Sequence, residues 1–241
     1  MLVSALMALP ESLAQQVRGR RRAFRRRILQ WVAANLRSYP WRGSDRTSYQ
    51  ILVAELLLKR TTATAAAKVY EGFLSRFPSM QAVADAPLSS LEEALSRVGL
   101  QHQRAKGFKE AANYVVAHGA IPGDHEALSR VPHVGPYSAA AITSFAYGVP
   151  AAVVDSNVER ILKRVFRTAL PDKPNRALLE GLAWELLPLE EHRQFNWGLL
   201  DLGALVCRYV RPRCAGCPLR DVCDFATVTE GDRQTVGSVK G

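Results

Sequence analysis

Phe24, Ile28, Val32 and Leu36 recur at four-residue intervals, which predicts a helix with one apolar stripe. Pro40 closes it, because a residue preceding proline is pushed out of the helical region. The next segment, Thr47 to Leu58, is apolar nearly all round and holds one charge, Glu55. Helical patterns follow over residues 65–77, 91–97, 104–118 and 124–130, then 136–147, 156–166, 176–187 and 193–206. Pro78, Pro87, Gly99, Pro122, Gly135 and Pro150 punctuate them. No stretch sustains alternation at a period of two, so the pattern predicts an all-α fold.

The chain has 241 residues, 48% of them hydrophobic, which suits one large or two small globular domains. Its formal net charge of +10 is concentrated at one end. Residues 1–60 hold twelve Lys and Arg against three acids, and seven arginines fall between Arg18 and Arg27. Such a patch suggests a polyanion, with nucleic acid ahead of an anionic membrane, although a solvated helix face accounts for the charge alone equally well. The longest run without Asp, Glu, Lys or Arg, Val131 to Val154, is broken by Pro132, Pro136, Gly148 and Pro150, which argues against a bilayer span. The apolar start, Leu2 to Leu9, has no basic stretch before it, so a secretory signal is not expected.

All four cysteines lie within seventeen residues, Cys207, Cys214, Cys217 and Cys223, in a C-x6-C-x2-C-x5-C pattern. Four soft ligands from one short loop suit an iron–sulfur centre. Structural zinc, which more often uses two C-x2-C pairs, and a pair of disulfides stay open as alternatives. Arg208, Arg211, Arg213 and Arg220 make this loop a second basic spot.

Val131-Pro132-His133-Val134-Gly135-Pro136-Tyr137-Ser138-Ala139 reads as a tight turn feeding a helix. Its backbone N–H groups and the helix dipole would suit a phosphate, although any Pro- and Gly-bearing turn between helices looks similar. Twenty residues beyond Gly135 stands Asp155, after the apolar run Val153-Val154 and at a helix start. Asp155 could equally cap that helix, and Ser156-x-x-Glu159 reads as a capping box.

The hairpin, the aspartate and the cysteine spacing together resemble the helix-hairpin-helix DNA glycosylases of the endonuclease III and MutY superfamily, over residues 25–225. The resemblance implies two helical domains with a DNA groove between them. Residues 48–152 would form a six-helix domain with the hairpin, and residues 1–47 plus 153–241 a domain carrying a [4Fe–4S] cluster on the four cysteines. Bifunctional members carry a lysine, which forms a Schiff base, where this chain has Tyr137. A phenol cannot form an imine, so a monofunctional enzyme is implied. Glu55 matches the catalytic glutamate of MutY and of the MIG-type thymine mismatch glycosylases. Leu58-Lys59-Arg60-Thr61-Thr62-Ala63 and residues 98–105 resemble the MIG type, without MutY's Gln-Gln-Thr-Gln pattern or paired tyrosines. The chain ends eighteen residues after Cys223, which leaves no room for MutY's 8-oxoguanine-reading domain.

On this resemblance Asp155 stabilises the sugar cation, Glu55 serves the leaving base and Tyr137 lines the pocket. Burial in an apolar helix is expected to favour the protonated form of Glu55. Lys59 and Arg60 occupy the wedge position, and Leu100 lies in the loop that probes the opposite strand. Phosphates are expected at His133, at the amides of Val134, Gly135 and Tyr137, and at Arg208, Arg211 and Arg213. Histidine in place of the usual glycine at 133 is expected to loosen or alter the turn, because it resists positive φ. The expected function is removal of thymine or uracil opposite guanine by a monomer acting on double-stranded DNA, cytoplasmic and nucleoid-associated if the source is prokaryotic. An adenine glycosylase, or a non-catalytic DNA-structure-binding protein, is the alternative.

Overall fold

The computed structural model describes residues 9–43 and 45–227, and among them are eleven α-helices, a further helical stretch at residues 224–227, and no strand. No helix among these residues is long and apolar enough to cross a membrane. The chain divides into two units, Met1–Arg37 with Pro150–Gly241, and Ser38–Val149.

The discontinuous unit contains α1 (Glu11–Asn35), α9 (Ser156–Val165), α10 (Arg176–Leu186) and α11 (His192–Leu205), followed by the cysteine loop. Helix α1 begins well before the predicted stripe, and Leu13 and Val17 extend its buried face to Phe24, Ile28 and Val32. Leu36 departs from the stripe: the chain leaves the helix there, and the side chain is 38% exposed. Phe24 lies between Phe166 and Phe195, with ring centroids 6.3 and 6.1 Å away. Helix α11 comes close to α1 at Gly198, where a Cβ would meet a Val32 methyl at 2.3 Å.

Five of the seven clustered arginines have partners inside this unit. Arg20 donates to Asp224 at 2.6 Å and to the carbonyls of Val165 and Val222, and Arg27 donates to Asp221 and the Pro218 carbonyl. Arg25 takes the carbonyls of Glu185, Leu186 and Leu187, the orphan acceptors at the end of α10. Arg18 and Arg21 form ion pairs with Glu11 and Glu185. Much of the basic run therefore stitches the N-terminal helix to its neighbours, leaving Arg22 and Arg26 exposed to solvent.

The continuous unit runs from α2 (Ser48–Leu58) through α3 (Ala63–Arg76), α4 (Met80–Asp85), α5 (Leu88–Leu95), α6 (Gln101–Ala117) and α7 (His125–Leu128) to α8 (Pro136–Phe145). It thus has seven helices among the described residues where six were expected. The extra piece is short: α4 is a six-residue helix capped by Ser79, and it packs on α6. Helix α2 is buried from Ile51 to Leu57, as its apolar circumference requires, and packs on α3 and α8. A full capping box starts it, with Thr47 and Gln50 each accepting the other's backbone N–H.

The divisions fall at residues 37/38 and 149/150 rather than at 47/48 and 152/153. Arg37 binds the buried Asp201 carboxylate at 2.6 Å, whereas Trp41 stacks on Tyr39 and meets Tyr70 of α3 edge-on. After Val149 the chain is held by the buried Asn196 of α11, whose side chain accepts from the Val153 N–H and donates to the Ala151 carbonyl.

Candidate active site and cysteine centre

Asp155 is the N-cap of α9. Its Oδ1 accepts from the backbone N–H groups of Asn157 and Val158, each at 2.8 Å, and its Oδ2 accepts from the Asn157 side-chain amide at 2.8 Å. The cap is Asp155 itself, with Ser156 already inside the helix, so the capping box read from Ser156 and Glu159 is not the one formed. The support continues inward. Asn157 accepts from Arg160, which also donates to the carbonyls of Gly203 and Cys207. Gly203 lets α11 abut this turn, since a Cβ there would lie 2.5 Å from Asn157 Cβ. Asn196 fixes the chain just before Asp155, so the half-buried carboxylate is held from both sides. Arg160, Asn196 and Gly203 are not legible in the sequence because each works through a partner far along the chain, whereas Asn157 stands only two residues from Asp155.

In the continuous unit, Glu55 is 5% exposed on α2, among the apolar side chains that bury the helix. One turn later Lys59 leaves the helix and its ammonium bonds the His133 carbonyl of the hairpin. Burial pulls Lys59 below the ordinary lysine range, and the Glu55 charge works in the opposite direction. Tyr137 sits half-buried in the first turn of α8.

His133 does take the left-handed conformation, with φ of 64°. Its ring lies over Gly107, where a Cβ would meet it at 3.3 Å, and its Nε2 lies 2.6 Å from Glu110. The turn expected of glycine therefore forms around histidine, supported by two contacts from α6. Of the hairpin amides, that of Val134 bonds the Val131 carbonyl at 3.0 Å, and the Val134 side chain is buried. Gly135 caps α8 and stays exposed.

Lys59, Arg60, Leu100 and His133 line one cavity of about 340 Å³, together with Leu56, Gln103, Arg104, Gly107 and Phe108. Four of the sequence-predicted residues thus meet at one place within the unit. Arg60, Leu100 and His133 all have positive φ, 52°, 53° and 64°.

The four cysteines line a single cavity beneath Arg164, and none is bridged to another. No three His, Cys, Asp or Glu side chains among the described residues converge as a single-ion site. Arg164 donates to Cys207 Sγ at 3.3 Å and to the carbonyls of Arg208 and Tyr209, and it lies over the Phe225 ring. Burial pushes the Cys217 thiol up to about 11 and raises that of Cys223. The loop displays Arg211 and Arg213 to solvent, while Arg208 is half-buried and donates to the Arg211 carbonyl.

Residues 53–188 match the HhH-GPD superfamily of base excision DNA repair proteins. A thymine-DNA glycosylase of Aeropyrum pernix is 36% identical over 215 residues, covering 86% of this chain and 96% of its own length. The adenine DNA glycosylase of Homo sapiens is 34% identical over 83% of this chain, which spans 39% of that protein. Among solved structures, a thermostable thymine-DNA glycosylase superposes with a TM-score of 0.84 at 32% identity, over 88% of this chain and 99% of that one.

Proposed function

Because the chain belongs to the HhH-GPD superfamily of base excision DNA repair proteins, we propose that it is a monofunctional mismatch DNA glycosylase. It acts as a monomer on double-stranded DNA and removes thymine or uracil opposite guanine. The observation that carries this reading is the match to a thymine-DNA glycosylase over 96% of that protein's length. Tyr137, at the position where an imine-forming lysine would stand, supports base removal without strand cleavage.

Departure of the base leaves positive charge on the sugar and negative charge on the base. The Asp155 carboxylate stabilises the sugar cation, either orienting the water that adds to the anomeric carbon or bonding to that carbon transiently. Its three hydrogen-bond donors and the carbonyl-pinned chain before it fix its direction, so little reorganisation is needed as charge develops. Glu55, removed from water on α2, gives a proton or hydrogen bond to the leaving base. Tyr137 lines the pocket. Lys59 and Arg60 fill the gap left by the extruded base, whose release from the stack costs least at a mismatch, and Leu100 probes the opposite strand. His133, the Gly135 and Tyr137 amides, and Arg208, Arg211 and Arg213 contact phosphates.

The four thiols suit a [4Fe–4S] cluster: four soft donors surround one cavity, and Arg164 directs a charged donor at Cys207 Sγ. Cys207, Cys214, Cys217 and Cys223 would hold it. Bound, the cluster would cross-link the loop that carries Arg208, Arg211 and Arg213. A brown protein with broad visible absorbance supports this assignment, and a colourless zinc-loaded one overturns it.

The match to an adenine DNA glycosylase keeps one second reading in view. Duplexes holding T·G, U·G, A·8-oxoG, A·G and thymine glycol, scored for base release with and without alkali, separate the two. Release from T·G and U·G, with strand breaks only after alkali, is expected. Release from the adenine duplexes alone would establish the second reading, and breakage without alkali would overturn the role given to Tyr137.

A further inference from the structure

Arg104 of α6 is only 8% exposed, yet no carboxylate pairs with it among the described residues. Its guanidinium is surrounded by carbonyls instead. Nε donates to Gly99 at 2.8 Å, Nη1 to Leu56 and Leu57 at 3.2 and 3.0 Å, and Nη2 to Lys59 at 2.5 Å. Its backbone N–H adds a bond to the Leu100 carbonyl at 2.9 Å.

Three of those acceptors are at the end of α2, where the last carbonyls lack helical donors and the helix dipole favours a cation. A lysine could satisfy the charge, but only a planar fork reaches this end and the Gly99 turn together. The two turns it joins are both strained. Arg60 and Leu100 are left-handed without being glycine, and Gly99 itself, at φ 70° and ψ 166°, occupies a region essentially reserved for glycine. Such conformations persist only where the surroundings over-determine them. Here one side chain bonds both turns at once, and both open onto the same 340 Å³ cavity.

We propose that Arg104 is a positioning residue for base extrusion. It holds the Lys59–Arg60 turn and the Gly99–Leu100 turn at a fixed separation, so that they enter the duplex as one body. This rests on the reading of the chain as a glycosylase of duplex DNA. Arg104 touches neither the leaving base nor the sugar. Its effect therefore falls on substrates whose base must be pulled from a pair, and spares those whose base is already out.

The test compares single-turnover base release from a T·G duplex with release of the same thymine from a one-nucleotide bulge. For Arg104→Lys the paired rate is expected to fall roughly tenfold to a hundredfold, with the bulge rate within about threefold of the original. Gly99→Ala, a loop change with no heavy atom within 4 Å of the new Cβ, strains the same turn without touching the core and is expected to lower the ratio likewise. Equal losses on both substrates would mean a merely structural arginine and overturn the proposal, as would an unchanged ratio in both variants. Failure of the unaltered protein to release thymine from either substrate would instead overturn the functional reading, and this proposal with it.

Discussion

Gly203 separates packing from catalysis in a single substitution. It lies inside α11, where glycine costs about 1 kcal/mol of helix stability relative to alanine. Gly203→Ala should therefore stabilise the chain unless the new methyl has nowhere to go. A Cβ would lie 2.5 Å from Asn157 Cβ, and 3.2 and 3.3 Å from that residue's Cα and carbonyl carbon. Carbon atoms settle at about 3.5–4.0 Å, so the first turn of α9 must retreat by on the order of 1 Å. The obstruction is largely backbone and cannot rotate aside. Overpacking of this kind costs about 1–3 kcal/mol, which cancels or outweighs the propensity gain and leaves a net loss of up to about 2 kcal/mol. Asn157 also holds the Asp155 carboxylate, so the same retreat misplaces it. Errors of about 1 Å at a reacting centre are worth roughly a hundredfold in rate. Thermal unfolding followed by circular dichroism, with single-turnover release from a T·G duplex, measures both effects. Gly19→Ala, in α1 with nothing within 4 Å of its Cβ, is the matched control. It should gain about 0.5–1 kcal/mol with no change in rate. A Gly203→Ala protein that melts higher, as the control does, and keeps its rate would refute the reasoning.

Four further outcomes follow from the structure described. Asparagine caps helices as well as aspartate does, so Asp155→Asn should change stability by less than about 0.5 kcal/mol, whereas Asp155→Ala should lose about 1 kcal/mol. Both should lower base release at least about a hundredfold, and an Asn variant with full activity would leave Asp155 only its cap. Arg20→Ala leaves the buried Asp224 carboxylate without its cation, held only by the Thr168 N–H and hydroxyl, and should cost about 1–3 kcal/mol, less than a fully buried pair because Arg20 reaches solvent. Arg22→Ala and Arg26→Ala should leave melting unchanged within about 0.5 kcal/mol, and each should reduce the salt slope of duplex binding by about one. Burial pushes the Tyr70 phenol up to about 12, and its hydroxyl donates to the Gln50 carbonyl. The unfolded chain gives up that proton from near pH 10 and the folded one only near 12, so this contribution is intact below about 10 and lost as pH rises to 12. Chemical denaturation across that window should show a loss of about 2 kcal/mol that Tyr70→Phe removes.

The sequence by itself determined what short-range periodicity and spacing encode. The four-residue stripe of α1, the apolar circumference of α2, the Pro and Gly breaks, the hairpin and the cysteine spacing all depend on residues a few positions apart, and all were legible. The six residues of α4 were not, because a helix that short between Pro78 and Pro87 carries too few turns to show a period. Leu36 fitted the stripe by spacing but lies where the backbone has already turned away. Tertiary structure alone decided where charge is spent. Arg20, Arg25 and Arg27 read as a polyanion surface until carbonyls and carboxylates about 160 to 200 residues away were found to engage them. Arg104 looked like one more basic residue in a familiar motif, and its four acceptors come from two turns that only the fold makes neighbours. A side chain's type declares the bonds it can make, but its partner is fixed by the packing of elements far apart in the chain.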